Sequence, residues 1–256
     1  MISIELLSHY RQLSQQCLTV VDVETTGGFA FKDRVMEISV LQSTLADGVQ
    51  HQQTDLINPQ THIPAKIAQI TGISQALVNT APLAAEVLPY YFPWLHSGIL
   101  TAHNIEFDYP FLRAEYTRLG TTLIRPEDEQ LCTVKLSRLM LPDLPSRSLP
   151  NLVRHFQFKV GKSHRAEADA MACWLLAERL LKEIQNEDDE VLLARFTKQW
   201  MPLKDAAKLL SCSQKMGRSL LESAGIPSRN VGRGKNSTLM YRRGDIERIV
   251  YERQGK

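Results

Sequence analysis

Residues 18–28 read LTVVDVETTGG, and the reading of this stretch decides the fold. Leu18, Val20, Val21 and Val23 are apolar, and the valines with Thr19 are β-branched, the pattern of a buried strand, yet Asp22 interrupts it and Glu24 follows. On a strand, residues i and i+2 project to the same face, so the two carboxylates point together. Two carboxylates about 4 Å apart repel by roughly 4 kcal/mol even at an effective dielectric near 20. A proton, a cation or open water must relieve that repulsion. Hard divalent ions prefer oxygen ligands and are natural candidates. TTGG follows at once: two hydroxyls, then two glycines that let a ligand approach the backbone.

Two further strand-like runs come next, residues 34–43 and 48–57, with short turn-rich connections. Three runs so joined predict an antiparallel meander, with the polar third run at an edge. The periodicity then becomes helical. Helices are expected at 65–70, 83–95, 105–119, 134–140, 149–156 and 166–183, with short strands at 98–102 and 129–133. Residues 141–150 hold three prolines and read as a loop. The sum is an α/β chain, a mixed sheet with helices packed on it.

Two more acidic positions stand out. In AHNIEFD (102–108), a strand end runs into a helix, with Asn104 as expected N-cap and Asp108 one turn in. Strand–helix junctions of this kind are where ligand sites of α/β folds lie. In KSHRAEADAMACWLLAERL (162–180), Asp169 shares a helix face with Ala166, Cys173 and Leu176, where a lone carboxylate is costly. His164 precedes that helix.

DVETTG, HNIEFD and HRAEADA, in this order, resemble the motifs of the DEDD-type 3′→5′ exonucleases of the ribonuclease-H-like superfamily, in their histidine-bearing branch. The proofreading subunit of bacterial DNA polymerase III belongs to that group. The likeness also takes in residues 57–74 and 131–133 and spans roughly residues 17–182. It implies a five-stranded mixed sheet flanked by helices, and two divalent ions, Mg²⁺ or Mn²⁺, held by Asp22, Glu24, Asp108 and Asp169. Asp22 would bridge them, and His164 would be the general base, which requires its neutral form. The resemblance further implies that Thr25, Thr26 and Gly27 grip the terminal nucleotide, with Asn104, Phe107 and Ile73 lining the same cleft. DNA is the expected substrate, single-stranded or frayed, cut to 5′-mononucleotides. An RNA-trimming enzyme, or a DNA-binding protein that uses this fold as scaffold, is the alternative. A polymerase is a further partner the resemblance implies.

The chain divides by charge. Residues 201–256 carry 12 Lys/Arg against 5 Asp/Glu, whereas residues 1–200 carry 18 against 23. A basic tail of this kind suggests a polyanionic partner. The tail reads as two helices broken at SCS with Ser213 as N-cap, then a hairpin turning at GRGKN, then a last helix from Asp245. It is similar to winged helix-turn-helix domains of the excisionase type, which implies phosphate contacts by Lys215, Arg218, Arg229, Arg233 and Lys235. The expected organisation is an exonuclease domain at 1–186 with an N-terminal helix at 3–15, a linker or connecting helix at 187–200, and the basic domain at 201–256. Ile4, Leu7, Tyr10 and Leu13 would form the apolar face of the first helix.

The 43% hydrophobic content suffices for a sizeable core. No apolar run reaches the ~18 residues of a membrane helix, and the first residues lack the form of a secretory signal. The four cysteines, 17, 132, 173 and 212, form no CxxC pair. These observations predict a reduced, cytoplasmic protein without a zinc site or a disulfide framework.

Overall fold

The computed structural model describes residues 1–232 and 237–255. They divide into two compact units: residues 12–136 with 146–182, and residues 1–11 with 137–145 and 183 onward.

The first unit is built on the expected meander. Strands β1 (Leu18–Thr25), β2 (Val35–Thr44) and β3 (Gly48–Leu56) pair antiparallel, and β4 (Ile99–Ala102) and β5 (Gln130–Cys132) add in parallel, giving the order β3-β2-β1-β4-β5. The polar β3 is an edge strand, as its sequence indicates. Alternate residues of β1 and β2 (Val21, Val23, Val40, Ile38) pack against α4 (Ala84–Leu95) and α5 (Ile105–Arg118), burying Leu88, Tyr91, Phe111 and Leu112. Burial of each such side chain contributes about 1.5–3 kcal/mol, which is what holds the helices on the sheet. Helix α4, expected at 83–95, runs unbroken through Pro89 and Pro93.

Helices α2 (Ala65–Thr71) and α3 (Gln75–Asn79) lie between β3 and α4. The latter leaves no trace in the periodicity because it is a single short turn, though Ser74 caps it by accepting the Leu77 N–H. A short 3-10 turn (Glu127–Glu129) leads into β5, followed by α6 (Thr133–Met140), α7 (Leu149–Phe156) and the long α8 (Ala166–Asn186).

Two features of β1 open a cleft. Its parallel ladder with β4 covers only Leu18 to Val20, so the strands part beyond that point. On the other side the ladder with β2 shifts register after Glu24, leaving Met36 unpaired. A bulge of this kind bends the strand and re-aims its side chains.

The second unit holds α9 (Asp189–Phe196), β6 (Trp200–Pro202), α10 (Leu203–Leu209), α11 (Gln214–Ser223), the hairpin β7 (Ser228–Val231) and β8 (Thr238–Arg242), and α12 (Arg243–Gln254). Ser213 caps α11 as expected, its hydroxyl accepting the Met216 N–H. Gly217 lets α10 and α11 close: a Cβ there would lie 3.2 Å from that of Ala207. Strand β6, at the boundary expected between the linker or connecting helix and the basic domain, joins β8 and β7 in a three-stranded antiparallel sheet. Of the GRGKN stretch expected to turn the hairpin, residues 233–236, Arg233 and Lys235 among them, lie outside the described residues.

The first helix, α1 (Ser3–Leu13), requires a correction, because it groups with the C-terminal unit and not with the sheet expected to own it. Glu247 of α12, 5% exposed, accepts from the Ser3 N–H at 2.7 Å and the Ser3 hydroxyl at 2.8 Å. Arg243 donates to the Met1 carbonyl and to Glu247. Arg11 donates to the carbonyls of Ile184 and Glu187 and pairs with Asp189 at 2.6 Å. The buried face is Leu6, Leu7, Tyr10 and Leu13, and Ile4 is exposed.

Candidate active site

An open cleft of about 370 Å³ lies where β1 and β4 part. Asp22 and Glu24 reach it from β1, Asp108 from the first turn of α5 and Asp169 from the first turn of α8. The parting of the strands leaves the Val23 N–H free of a ladder partner on that side, and Asp108 Oδ1 accepts it at 3.2 Å. Asp108, 3% exposed, is thereby fixed against the strand between the two β1 carboxylates. Asp169 is held by its own helix entrance, where Oδ2 accepts the His164 N–H at 2.9 Å.

Burial and mutual repulsion push all four carboxyls upward. Glu24 rises to about 8, first by burial and then by the charges of Asp169, Glu37 and Asp108. Asp108 rises to about 7, mainly by burial, against the stabilising backbone donors. Asp22 is pushed well above the carboxylate range by burial and by its acidic neighbours. Asp169 rises by burial too, opposed by the His164 backbone and charge and by the Ser163 side chain. Four oxygen-donor groups in one place, each reluctant to ionise beside the others, suit a hard divalent cation that would discharge them together. Ligand atoms of Glu24, His164 and Asp169 already lie within 4.8 Å of one another.

Two histidines border the cleft and differ in freedom. His103 is engaged through both ring nitrogens: Nε2 faces the Arg147 carbonyl at 3.0 Å and Nδ1 the Thr133 hydroxyl at 2.9 Å. A carbonyl only accepts, so Nε2 carries the proton and Nδ1 is spent on Thr133. His164 is exposed, and its backbone is left-handed at φ 62°. That conformation costs a non-glycine residue on the order of 1 kcal/mol or more and is tolerated where the surroundings over-determine it.

Those surroundings include two residues outside the three motifs' acidic set. Glu37 of β2 is 1% exposed and sits across the ladder from Glu24. Its carboxylate accepts from Arg165 Nε at 3.0 Å and Nη2 at 2.5 Å, and from the Ala166 N–H at 2.8 Å. Glu37 and Arg165 thus bind the entrance of α8, and with it His164 and Asp169, to the sheet. The signal is present in sequence as a lone carboxylate in the apolar run VMEISV, paired in charge with the arginine after His164.

The expected substrate contacts divide. Thr25, Gly27, Asn104 and Phe107 line the cleft. Thr25 donates to the Gly27 carbonyl at 2.6 Å, which shapes the loop. A Cβ on Gly27 would meet the Asp33 carboxylate at 2.3–2.7 Å, so the side chain that accepts the Phe29 N–H would have to move. Asn104 occupies the N-cap position of α5 but is left-handed at φ 76°, with no side-chain cap. Thr26 is a correction: it is buried, and its hydroxyl accepts the Arg34 N–H inside the loop, away from the cleft wall. Ile73 is a second correction. It is fully buried with Met36, Ile63 and Val78. Ile67 and Ile70 of α2 face the cleft instead, and Ile70 is 41% exposed.

In the C-terminal unit, Lys215 and Arg218 are exposed on α11, where Arg218 pairs with Glu222 at 2.8 Å. Arg229 stacks on the Trp200 ring at 4.0 Å, as Arg242 does at 4.3 Å.

The profile of the exonuclease family matches residues 19–176. PolC-type DNA polymerase III of Caldanaerobacter subterraneus subsp. tengcongensis is 34% identical over 167 residues, 65% of this chain and 12% of that protein. The 3′-5′ exonuclease DinG of Bacillus subtilis is 33% identical over 176 residues, 68% of this chain and 18% of that protein. The chain therefore spans less than a fifth of either relative. Among solved structures, a product-bound exonuclease I superposes with a TM-score of 0.59 at 16% identity, over 70% of this chain and 45% of that one. A zinc-bound complex of E. coli exonuclease I with single-stranded DNA gives 0.59 at 16%, over 67% and 41%. These two structures share the fold.

Proposed function

Because the chain belongs to the exonuclease family, we propose that it hydrolyses the terminal phosphodiester at the 3′ end of a DNA strand, single-stranded or frayed, releasing 5′-mononucleotides. The observation that carries this reading is the meeting of Asp22, Glu24, Asp108 and Asp169 beside His164 on one cleft. Two divalent ions, Mg²⁺ or Mn²⁺, held by the four carboxylates supply acidification of water and neutralisation of phosphate charge when bound.

The remaining chemistry falls to the chain. His164, exposed at the mouth with Glu24 and Asp169 close by, takes the proton of the attacking water at a ring nitrogen. His103 is unsuited to that task because both its nitrogens are committed. Asp169 and the Glu37–Arg165 pair set where His164 stands. Ile67, Ile70 and Phe107 offer an apolar wall to the terminal base, and Gly27 and Gly28 expose backbone to its phosphate or sugar. The cleft volume is at the lower end of small-ligand sites, which suits one nucleotide.

The C-terminal unit is proposed to hold the same polymer. Its excess of basic residues and its exposed α11 support this reading, with Lys215 as the phosphate contact.

The test is a 5′-labelled single strand incubated with Mg²⁺ or Mn²⁺, with DNA and RNA strands side by side. A shortening ladder is expected from the wild type and none from Asp22→Asn. Loss of a general base lowers turnover about 10²–10⁴-fold, the effect expected of His164→Ala. No ladder from the wild type, or an equal one from Asp22→Asn, would refute the proposal.

A further inference from the structure

The loop joining β1 to β2 carries Phe29, 63% exposed, and Phe31, 84% exposed. Solvent exposure of two neighbouring phenylalanines forgoes the burial that ordinarily stabilises such rings. Their rings are 5.9 Å apart and tilted by 46°. Between them Ala30 turns inward and packs on the core.

The loop is held firmly. Asp33 accepts the Phe29 N–H at 2.8 Å, and the Phe29 carbonyl accepts from Lys32 and Asp33. Arg118 donates to the carbonyls of Ala30 and Asp33. Arg118 and Arg34 are in turn fixed by Glu115, 1% exposed, which also accepts the Val35 N–H. A buried carboxylate with two arginines is expensive to assemble, and here it anchors a loop whose outward side chains are bare rings. The loop begins at Gly27 and Gly28, which line the cleft.

We propose that Phe29 and Phe31 form a stacking platform for unpaired bases of the strand whose 3′ end enters the cleft. The inference rests on the proposed exonuclease reading and extends it to nucleotides beyond the terminal one. Every base has a π-face, so a pair of rings grips successive bases without reading sequence. The two rings already touch each other, so bases stack on their solvent side and not between them. Rigid presentation keeps the ordering cost of binding low.

Phe29→Ala, Phe31→Ala and the double variant are compared with wild type on a ten-nucleotide strand and on a dinucleotide, which offers a single base beyond the terminal one. The ratio of kcat/KM for the long substrate to that for the short one should fall about 10- to 100-fold in the double variant. Abasic sites placed 5′ of the terminal nucleotide should weaken the wild type and leave the double variant indifferent. The slope of affinity against salt should stay the same, since no charge is removed. An unchanged ratio would overturn the proposal. So would equal sensitivity of both proteins to abasic sites, or wild type that self-associates in sedimentation where the double variant does not, which would assign the rings to a second copy of the chain. If the wild type hydrolyses neither substrate, the exonuclease reading fails by itself. Anisotropy of a labelled strand in EDTA still decides the platform, with weaker binding expected of the double variant.

Discussion

Glu37→Gln replaces one oxygen of a buried carboxylate by a donor while keeping its size. In the native protein that carboxylate receives two N–H groups of Arg165 and the Ala166 N–H. The glutamine retains one acceptor oxygen and sets an NH₂ against a donor. Hydrogen bonds to charged groups are worth about 1.5–3 kcal/mol each, and one disappears outright. Arg165 is 43% exposed and recovers part of its loss from water. A net penalty of about 2 kcal/mol is therefore expected, concentrated at the entrance of α8. That entrance carries His164 in a left-handed conformation and, one turn later, Asp169. A reacting group displaced by ~1 Å costs about 10²-fold in rate, and partners that orient metal ligands are typically worth about 10–100-fold. A second effect has the opposite sign: removing the Glu37 charge eases ionisation of Glu24, Asp22 and Asp169. The expected result is a kcat lower by about 10–100-fold, a KM changed by less than about 3-fold, and an acidic limb of the pH–rate profile moved to lower pH. Arg165→Met should give a similar kcat, and the double variant little more than either single one. Single-turnover rates on a labelled strand, with thermal melts of the same preparations, provide the measurement. A kcat within about 3-fold of wild type together with a lowered Tm would show that Glu37 serves stability alone, and the reasoning would fail.

The raised carboxyls make metal-free stability fall with pH. Glu24 and Asp108 bind protons more tightly folded than unfolded, so their cost is absent below about pH 4 and accrues up to about pH 7–8. Melts in EDTA should lose on the order of 5 °C between about pH 5 and 9, Mn²⁺ should restore it, and Asp22→Asn should flatten the slope. Ile73→Ala should cost about 2–5 kcal/mol of stability with the KM of the remaining folded enzyme near that of wild type, whereas Ile70→Ala should raise KM and leave Tm within about 1 °C. Chemical denaturation and initial rates separate these two outcomes. Replacing Lys215 by Gln should lower the salt slope of strand affinity by about 0.7, the share of one phosphate left without its cation, as read by titration in a NaCl series.

The sheet is legible in the sequence because its strands are short, apolar and bounded by turn residues, and because two carboxylates in LTVVDVE demand an explanation. Asp169 is legible for a related reason, since it sits on a helix face too apolar to hydrate it, and Asp108 because it opens a helix directly after a strand end. Ile73 is not, because nothing in ITGI says which of two isoleucines faces inward, and Gly72, left-handed at φ 75°, reverses the chain between them. Thr26 is ambiguous in the same way, since a hydroxyl after a strand serves a turn as readily as a ligand. Glu37 shows in sequence only as a lone acid in an apolar run; such an acid in a strand ordinarily points to water, and the partner that gives it meaning is 128 residues away. The grouping of α1 lies beyond local pattern altogether, for its amphipathic face fits any apolar surface, and the polar contacts of Ser3 and Met1 with Glu247 and Arg243 and of Arg11 with residues 184–189 are all distant in sequence.

That last arrangement bears on synthesis. Ser3 and Glu247 are 244 residues apart, so at ~5–20 residues per second the helix waits roughly 10–50 s on the ribosome for its partner. Every residue of the unit that holds the carboxylates emerges in that interval. The unit that holds the carboxylates thus has time to assemble before the last contacts of the first helix, those of Ser3 with Glu247 and of Met1 with Arg243, become available.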